Sequence, residues 1–193
     1  MNDIRDQITR LRVKNADDKR FVLEGSLASC LPREKVANIL REDSNIEPYL
    51  ITEMTDIIDR GARKVFAILI LIQKITDITR FVEHHLHSNR TLDEQLPFTK
   101  FELRTIFSRD QLRSELFEEF QWEFVAPVFR QRLSHQIFPK EIRLPFMENQ
   151  KLGEGGFGQV FRVVIPSGHH DFEEIDPAKV AALDPPYTNN SNR

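Results

Sequence analysis

The sequence predicts a mainly α protein, α+β overall: a helical, bundle-like domain over residues 1–135, a short β-hairpin within residues 136–183, and a disordered tail over 184–193. Three observations carry this reading. Apolar residues recur at helical spacing through the first 130 positions, an apolar run occupies Val65 to Ile72, and glycines cluster at 153–158 between two strand-like stretches.

Arg33 to Arg41 carries Val36, Ala37, Ile39 and Leu40 on one side, and Pro48 to Arg60 carries Leu50, Ile51, Met54, Ile57 and Ile58 before Gly61, placed as a helix stop. Both read as short amphipathic helices. From Ala62 to Leu86 the residues Ile68, Leu71, Ile72, Ile75, Ile78, Val82 and Leu86 share a face. Apolar side chains also surround the first half of that stretch, which predicts one buried central helix. After the polar break at Ser88-Asn89-Arg90, Ser108-Arg109-Asp110-Gln111 resembles a capping box opening a helix through Leu112, Leu116, Phe117, Phe120 and Phe124, with Pro127 as its end. The aromatics Phe117, Phe120, Trp122, Phe124 and Phe129 read as a core stripe rather than a partner surface.

The nature of the hairpin depends on the residues C-terminal to its glycines. Leu152-Gly153-Glu154-Gly155-Gly156-Phe157-Gly158-Gln159-Val160 has the spacing G-x-G-x-F-G-x-V. A P-loop needs Lys and Ser or Thr after its last glycine, to open a helix, and Gln159-Val160 stand there instead. A dinucleotide-binding turn also needs a helix, to aim its N-terminus at the pyrophosphate. Here Gln159 to Ile165 is rich in β-branched and aromatic residues and stops at Pro166-Ser167-Gly168, so it reads as a strand and a turn.

Composition narrows the class. The chain has 193 residues, 40% hydrophobic and 30% charged, enough for a core with a solvated surface. Its one cysteine, Cys30, excludes an internal disulfide and fits a reducing compartment; it reads as a small buried side chain. Val65 to Ile72 falls well short of the roughly 20 residues that span a bilayer. Nor do residues 1–20 form a secretory leader, so the expected address is the cytoplasm, with the nucleus as the alternative. Net charge is −3, and it resides after Pro166, because residues 1–165 hold 25 acids and 25 bases. Without a basic stripe, nucleic-acid binding is not expected.

Histidines raise a metal reading, which the spacing disfavours. His84, His85 and His87 stand at the predicted end of the central helix, where adjacent residues point about 100° apart. His169 and His170 are expected to be solvated turn residues. No Ser-His-acid, Cys-His or H-E-x-x-H arrangement supports another catalytic site.

Strand, glycine turn and strand is the arrangement that protein kinases fold over ATP, and the nine residues from Leu152 to Val160 resemble that lid. Upstream, Phe120 to Phe129, the L-P-F strand within Ile142 to Asn149, and Lys151-Leu152-Gly153 are similar to the start of the kinase domain in a group of filamentous-fungal kinase-like proteins. Phe21 to Asp43 and Arg63 to Leu69 resemble that group's N-terminal region. The resemblance implies that Gly153 and Gly155 let backbone amides approach the phosphates, that Phe157 caps the tip, and that Leu152 and Val160 sandwich the adenine. Glu154, Gly156 and Gly158 complete the implied nucleotide site.

The resemblance also exposes what is missing. No H-R-D loop, D-F-G aspartate or helix glutamate is present, and Val180-Ala181-Ala182-Leu183 would put Leu183 where the phosphate lysine belongs. Asp171-Phe172-Glu173 lies beside the second strand rather than after a catalytic loop. A full kinase fold needs about 250 residues, so only the start of a small lobe is expected. The expectation is therefore a truncated kinase-like protein of a Ser/Thr phosphotransferase family, without complete catalytic machinery and with weak or vestigial ATP binding, Mg²⁺ only accompanying ATP. The alternative is a non-catalytic helical interaction module with a relic hairpin. In either case the apolar residues of the hairpin are expected to fold back on the helical domain or to stay exposed, and an exposed edge to recruit a protein partner or a second copy.

Overall fold

The structure, a computed structural model, describes residues 2–43, 45–85, 88–130, 136–156 and 158–172. Its elements run α1 (Asn2–Arg10), β1 (Arg12–Lys14), β2 (Arg20–Val22), α2 (Ser26–Cys30), α3 (Arg33–Glu42), α4 (Ile51–Gly61), α5 (Arg63–Leu71), α6 (Ile78–His84), α7 (Lys100–Ile106), α8 (Gln111–Gln121), β3 (Glu148–Gly155) and β4 (Gly158–Val164). Short 3-10 turns occupy Pro48–Leu50, Ile75–Asp77 and Asp93–Gln95. The protein is mainly helical with two antiparallel hairpins, the second of them the glycine-tipped one.

Helix α5 is the axis of the body. Every residue from Val65 to Leu71 is buried, and α5 packs against α1, α2, α4, α6 and α8. A helix apolar on all sides has no solvent face to offer, so its neighbours must enclose it. Ala62, in the N-cap position, supplies no side-chain acceptor for the first amides of α5. Asp93 does so from a distant turn, accepting the backbone N–H of Lys64 and of Val65 at 3.0 Å each. Its carboxylate also meets the positive end of the helix dipole. Gly61 makes room for that turn, because a Cβ there would stand 2.5 Å from the Cβ and Cγ2 of Thr91. Space, rather than a left-handed backbone, is what requires glycine at 61.

The single central helix expected over Ala62 to Leu86 is two helices. Gln73 takes a left-handed backbone (φ 58). Its N–H donates to the Ile70 carbonyl, and that of Lys74 donates to the Leu69 carbonyl. This paired closure satisfies the last carbonyls of α5 without a glycine. The chain then restarts through Ile75–Asp77 into α6, so Ile75, Ile78 and Phe81 enter the core from a new direction.

Phe81, Phe98, Phe107 and Phe117 form an aromatic cluster, with the rings of Phe81 and Phe117 stacked at 4.8 Å and Phe107 edge-on to Phe81 at 5.6 Å. Buried Gln121 stitches it to the chain, accepting the Phe98 N–H at 2.8 Å and donating to the Phe98 carbonyl at 3.0 Å. Of the aromatic stripe, Phe117 and Phe124 are buried and Phe120 packs half-buried against the core, whereas Trp122 and Phe129 are half-buried outside the core cluster.

Helix starts also differ from expectation. Ser108 and Arg109 are both left-handed (φ 52 and 66) and end α7; the N-cap of α8 is Asp110, which accepts the Arg113 N–H. α8 stops at Gln121, well before Pro127. The reciprocal capping box lies at Thr99 and Glu102, where Thr99 Oγ1 accepts the Glu102 N–H and the Glu102 carboxylate accepts the Thr99 N–H. That T-x-x-E spacing was present in the sequence.

The N-terminal region is not wholly helical. β1 and β2 pair antiparallel, Arg12 opposite Val22 and Lys14 opposite Arg20. Asn15 shapes the turn between them, its Oδ1 accepting the N–H of Asp17 and of Lys19. Among the described residues no helix is long and apolar enough to cross a membrane.

Candidate functional site: the glycine-tipped hairpin and its root

β3 and β4 pair antiparallel from Glu148 opposite Val164 to Gly155 opposite Gly158, with a bulge between Lys151 and Gly153. Gly156 turns the chain after β3, and Phe157 lies outside the described residues. Gly158 has φ 155, a conformation that strains side-chain-bearing residues. All eight residues of β3 are exposed.

The expected nucleotide residues thus share one element. Gly153 pairs with Val160 beside Leu152 at the bulge, and Leu152 and Val160 are each 62% exposed. A Cβ built on Gly153, Gly155 or Gly156 would meet nothing within 4 Å among the described residues. Glu154 accepts from Lys151 Nζ at 2.5 Å and from Gln159 Nε2 at 3.2 Å. These bonds, the lysine's first, hold the Glu154 carboxyl below the usual range. The cation nearest the tip is therefore already committed to a carboxylate.

The root of the hairpin is held far more firmly than its tip. Expected to be solvated, His169 is instead buried. Its Nε2 accepts the Glu24 N–H at 2.9 Å, and its Nδ1, 2.9 Å from the Pro127 carbonyl oxygen, can only donate there. The ring stands edge-on to Phe21 at 5.4 Å. Next to it, the Phe129 N–H donates to the His169 carbonyl at 2.8 Å and the Asp171 N–H to the Phe129 carbonyl at 3.1 Å. His170 stacks on Phe172 at 5.3 Å, and its buried Nδ1 finds no hydrogen-bond partner among the described residues.

The incoming side is clamped as well. The L-P-F segment, expected to be a strand, lies outside any ladder and docks on the β1–β2 turn. There Asn15 Nδ2 donates to the Leu144 carbonyl at 2.9 Å and the Ala16 N–H to the Phe146 carbonyl at 2.7 Å. Phe146 stacks on Phe129 at 5.7 Å. Beneath this contact Glu123, its side chain 6% exposed, accepts from Arg12 Nη2 at 2.8 Å and from Arg143 Nη1 at 3.0 Å. Arg12 also lies over the Phe120 ring, 4.9 Å from its centroid. None of these partnerships is legible in the sequence. The one available signal is Glu123 itself, a charge set between Trp122 and Phe124.

The other candidate groups are placed separately. His85 Nδ1 donates to the Phe81 carbonyl at 2.9 Å, and its ring lies 4.8 Å from that of His84; His87 is outside the described residues. Among the described residues no group of three or more His, Cys, Asp or Glu side chains is placed to hold a metal ion. Cys30 is half-buried, and burial raises its thiol pKa, which lowers its thiolate fraction. Leu183 and the 184–193 tail lie outside the described residues. Comparison with models of protein families, with curated proteins and with solved structures returned no match to this chain.

Proposed function

We propose that the hairpin is a nucleotide-covering lid of the protein-kinase type, carried on a helical support, in a cytoplasmic or nuclear kinase-like protein whose chain lacks the groups for phosphoryl transfer. The observation that carries this reading is the open space around Gly153, Gly155 and Gly156. Neither a positive φ nor a close neighbour among the described residues calls for glycine at these three positions, whereas a ligand brought close to the backbone does. Leu152 and Val160, beside each other and exposed, offer apolar contact to a flat ring.

With Lys151 committed to Glu154 and no floor beneath the hairpin among the described residues, ATP binding is weak. Affinity is about millimolar or poorer, equivalent to only about 4 kcal/mol. Calorimetry with Mg-ATP on the full chain tests this, with Gly155→Asp as the control. Millimolar binding that the substitution abolishes supports the lid. A micromolar constant, or equal weak binding by both proteins, overturns it. No radiolabel is transferred from γ-labelled ATP to the chain or to a generic protein substrate.

A second reading is favoured by the exposure of Val160, Phe161 and Val164 on a two-stranded sheet whose outer edges are unpaired among the described residues. Such an edge accepts another strand, from a partner or a second copy. Light scattering on the full chain and on a version ending at Phe129 tests the self-pairing branch. Equal monomeric mass across concentration excludes it.

A further inference from the structure

A cavity of about 460 Å³ lies between α4, α6 and the segment from Ser88 to Gln95, apart from the hairpin and from the reading proposed for it. Its apolar lining is Ile57, Val82 and Leu92; Arg60, Arg90 and His85 contribute to its polar lining. That size and this mixture of aliphatic walls with a few convergent polar groups are those of a small-molecule site, for which volumes of about 300–1,000 Å³ are usual.

Charge decides the class of ligand. The acids nearest Arg60 in sequence are spoken for, Asp56 by Arg33 and Asp59 by Arg63. Arg60 itself spends only Nε, donated to the Asp56 carbonyl, so its terminal nitrogens have no partner among the described residues. Arg90 holds its loop through its backbone, the N–H donating to Ser88 Oγ and the carbonyl accepting from Gln95 Nε2, while its guanidinium makes no hydrogen bond or ion pair among the described residues. Glu94 partly offsets Arg90. Its carboxyl is held below the usual range first by Thr91, through the backbone N–H and the hydroxyl, and further by the charge of Arg90. His85 spends Nδ1 on the Phe81 carbonyl, and its Nε2 makes no hydrogen bond among the described residues. No carboxylate lines the cavity among the described residues.

We propose that this cavity binds a small aliphatic carboxylate, the chain lying over Ile57, Val82 and Leu92 and the head group received by Arg60 and Arg90. With one guanidinium uncompensated and the other partly offset, the site balances about one negative charge, which suits a monoanion over a dianionic phosphate. Guanidinium forks match a planar carboxylate.

The test is calorimetry on the full chain with octanoate, octan-1-ol, acetate and octyl phosphate. Octanoate binds saturably, and octan-1-ol and acetate bind at least about tenfold more weakly, since head and tail both contribute. Arg60→Gln with Arg90→Gln weakens octanoate about tenfold or more while leaving the melting curve cooperative. If that double variant does not fold, Arg90→Gln alone, on an exposed loop held by its backbone, weakens octanoate measurably. Failure of octanoate to bind by low millimolar, equal binding of octan-1-ol, unchanged affinity in the folded variant, or tighter binding of octyl phosphate each overturns the assignment.

Discussion

His169 Nε2 accepts the backbone N–H of Glu24 at 2.9 Å, joining positions 145 residues apart. The opposite ring nitrogen donates to the Pro127 carbonyl, so one imidazole ties the end of the glycine hairpin both to the segment after β2 and to that after α8. Glu24 continues the connection through its side chain, which receives Lys64 Nζ at 2.9 Å beside the start of α5. The hairpin is therefore fixed at its root, while the strand leading to its tip is exposed among the described residues.

Replacing His169 by alanine removes both hydrogen bonds and the edge contact with Phe21. The expected loss is about 2 kcal/mol in urea-induced unfolding. His169→Phe, which keeps an aromatic ring, recovers part of it. A change below about 0.5 kcal/mol in the alanine variant would show that the root is not a cooperative part of the body.

Glu123 neutralises two largely buried arginines. Glu123→Ala leaves Arg12 and Arg143 without their carboxylate and costs about 3 kcal/mol. Combining Glu123→Leu with Arg12→Met and Arg143→Met restores most of the stability, because apolar side chains of similar volume escape the desolvation cost. Chemical denaturation of wild type and the two variants is the measurement; a triple variant less stable than Glu123→Ala would show that the buried charges cannot be replaced by packing.

Asp93 gives a pH dependence of unusual sign. Burial, its largest influence, raises its carboxyl above the ordinary value of 3.8, although the amides of Lys64 and Val65 pull the other way. The folded chain then binds a proton more readily than the unfolded chain. The contribution of Asp93 is thus complete below 3.8 and is lost as pH rises through the folded value. Measured against Asp93→Asn, wild-type stability should gain as pH falls from 7 toward 4. If the difference narrows on acidification, the helix amides outweigh burial.

Gly61→Ala would press its Cβ against Thr91, two residues before the capping Asp93. The expected cost is about 1–3 kcal/mol by thermal unfolding. Because both changes disturb one contact, Gly61→Ala and Asp93→Asn together should cost less than the sum of the two. Strict additivity would separate the turn from the cap.

Local pattern revealed much of the framework. α3 and α4 were legible because their apolar residues recur at helical spacing, and β3–β4 because a glycine turn between two strand-like runs has its partner strand only a few residues away. The glycine residues, Leu152 and Val160 of the candidate nucleotide site were identifiable for the same reason: a hairpin brings its own neighbours together. Periodicity could not show the break after α5, since the apolar repeat runs on past Gln73 while only the backbone reverses there. Nor could it show that Glu123 meets Arg12 across 111 residues, or that His169 is buried rather than solvated. Sequence alone determined which faces are apolar and where short turns form. Tertiary structure decided which charged and polar groups leave water, because that depends on partners supplied by remote segments once those apolar faces have packed.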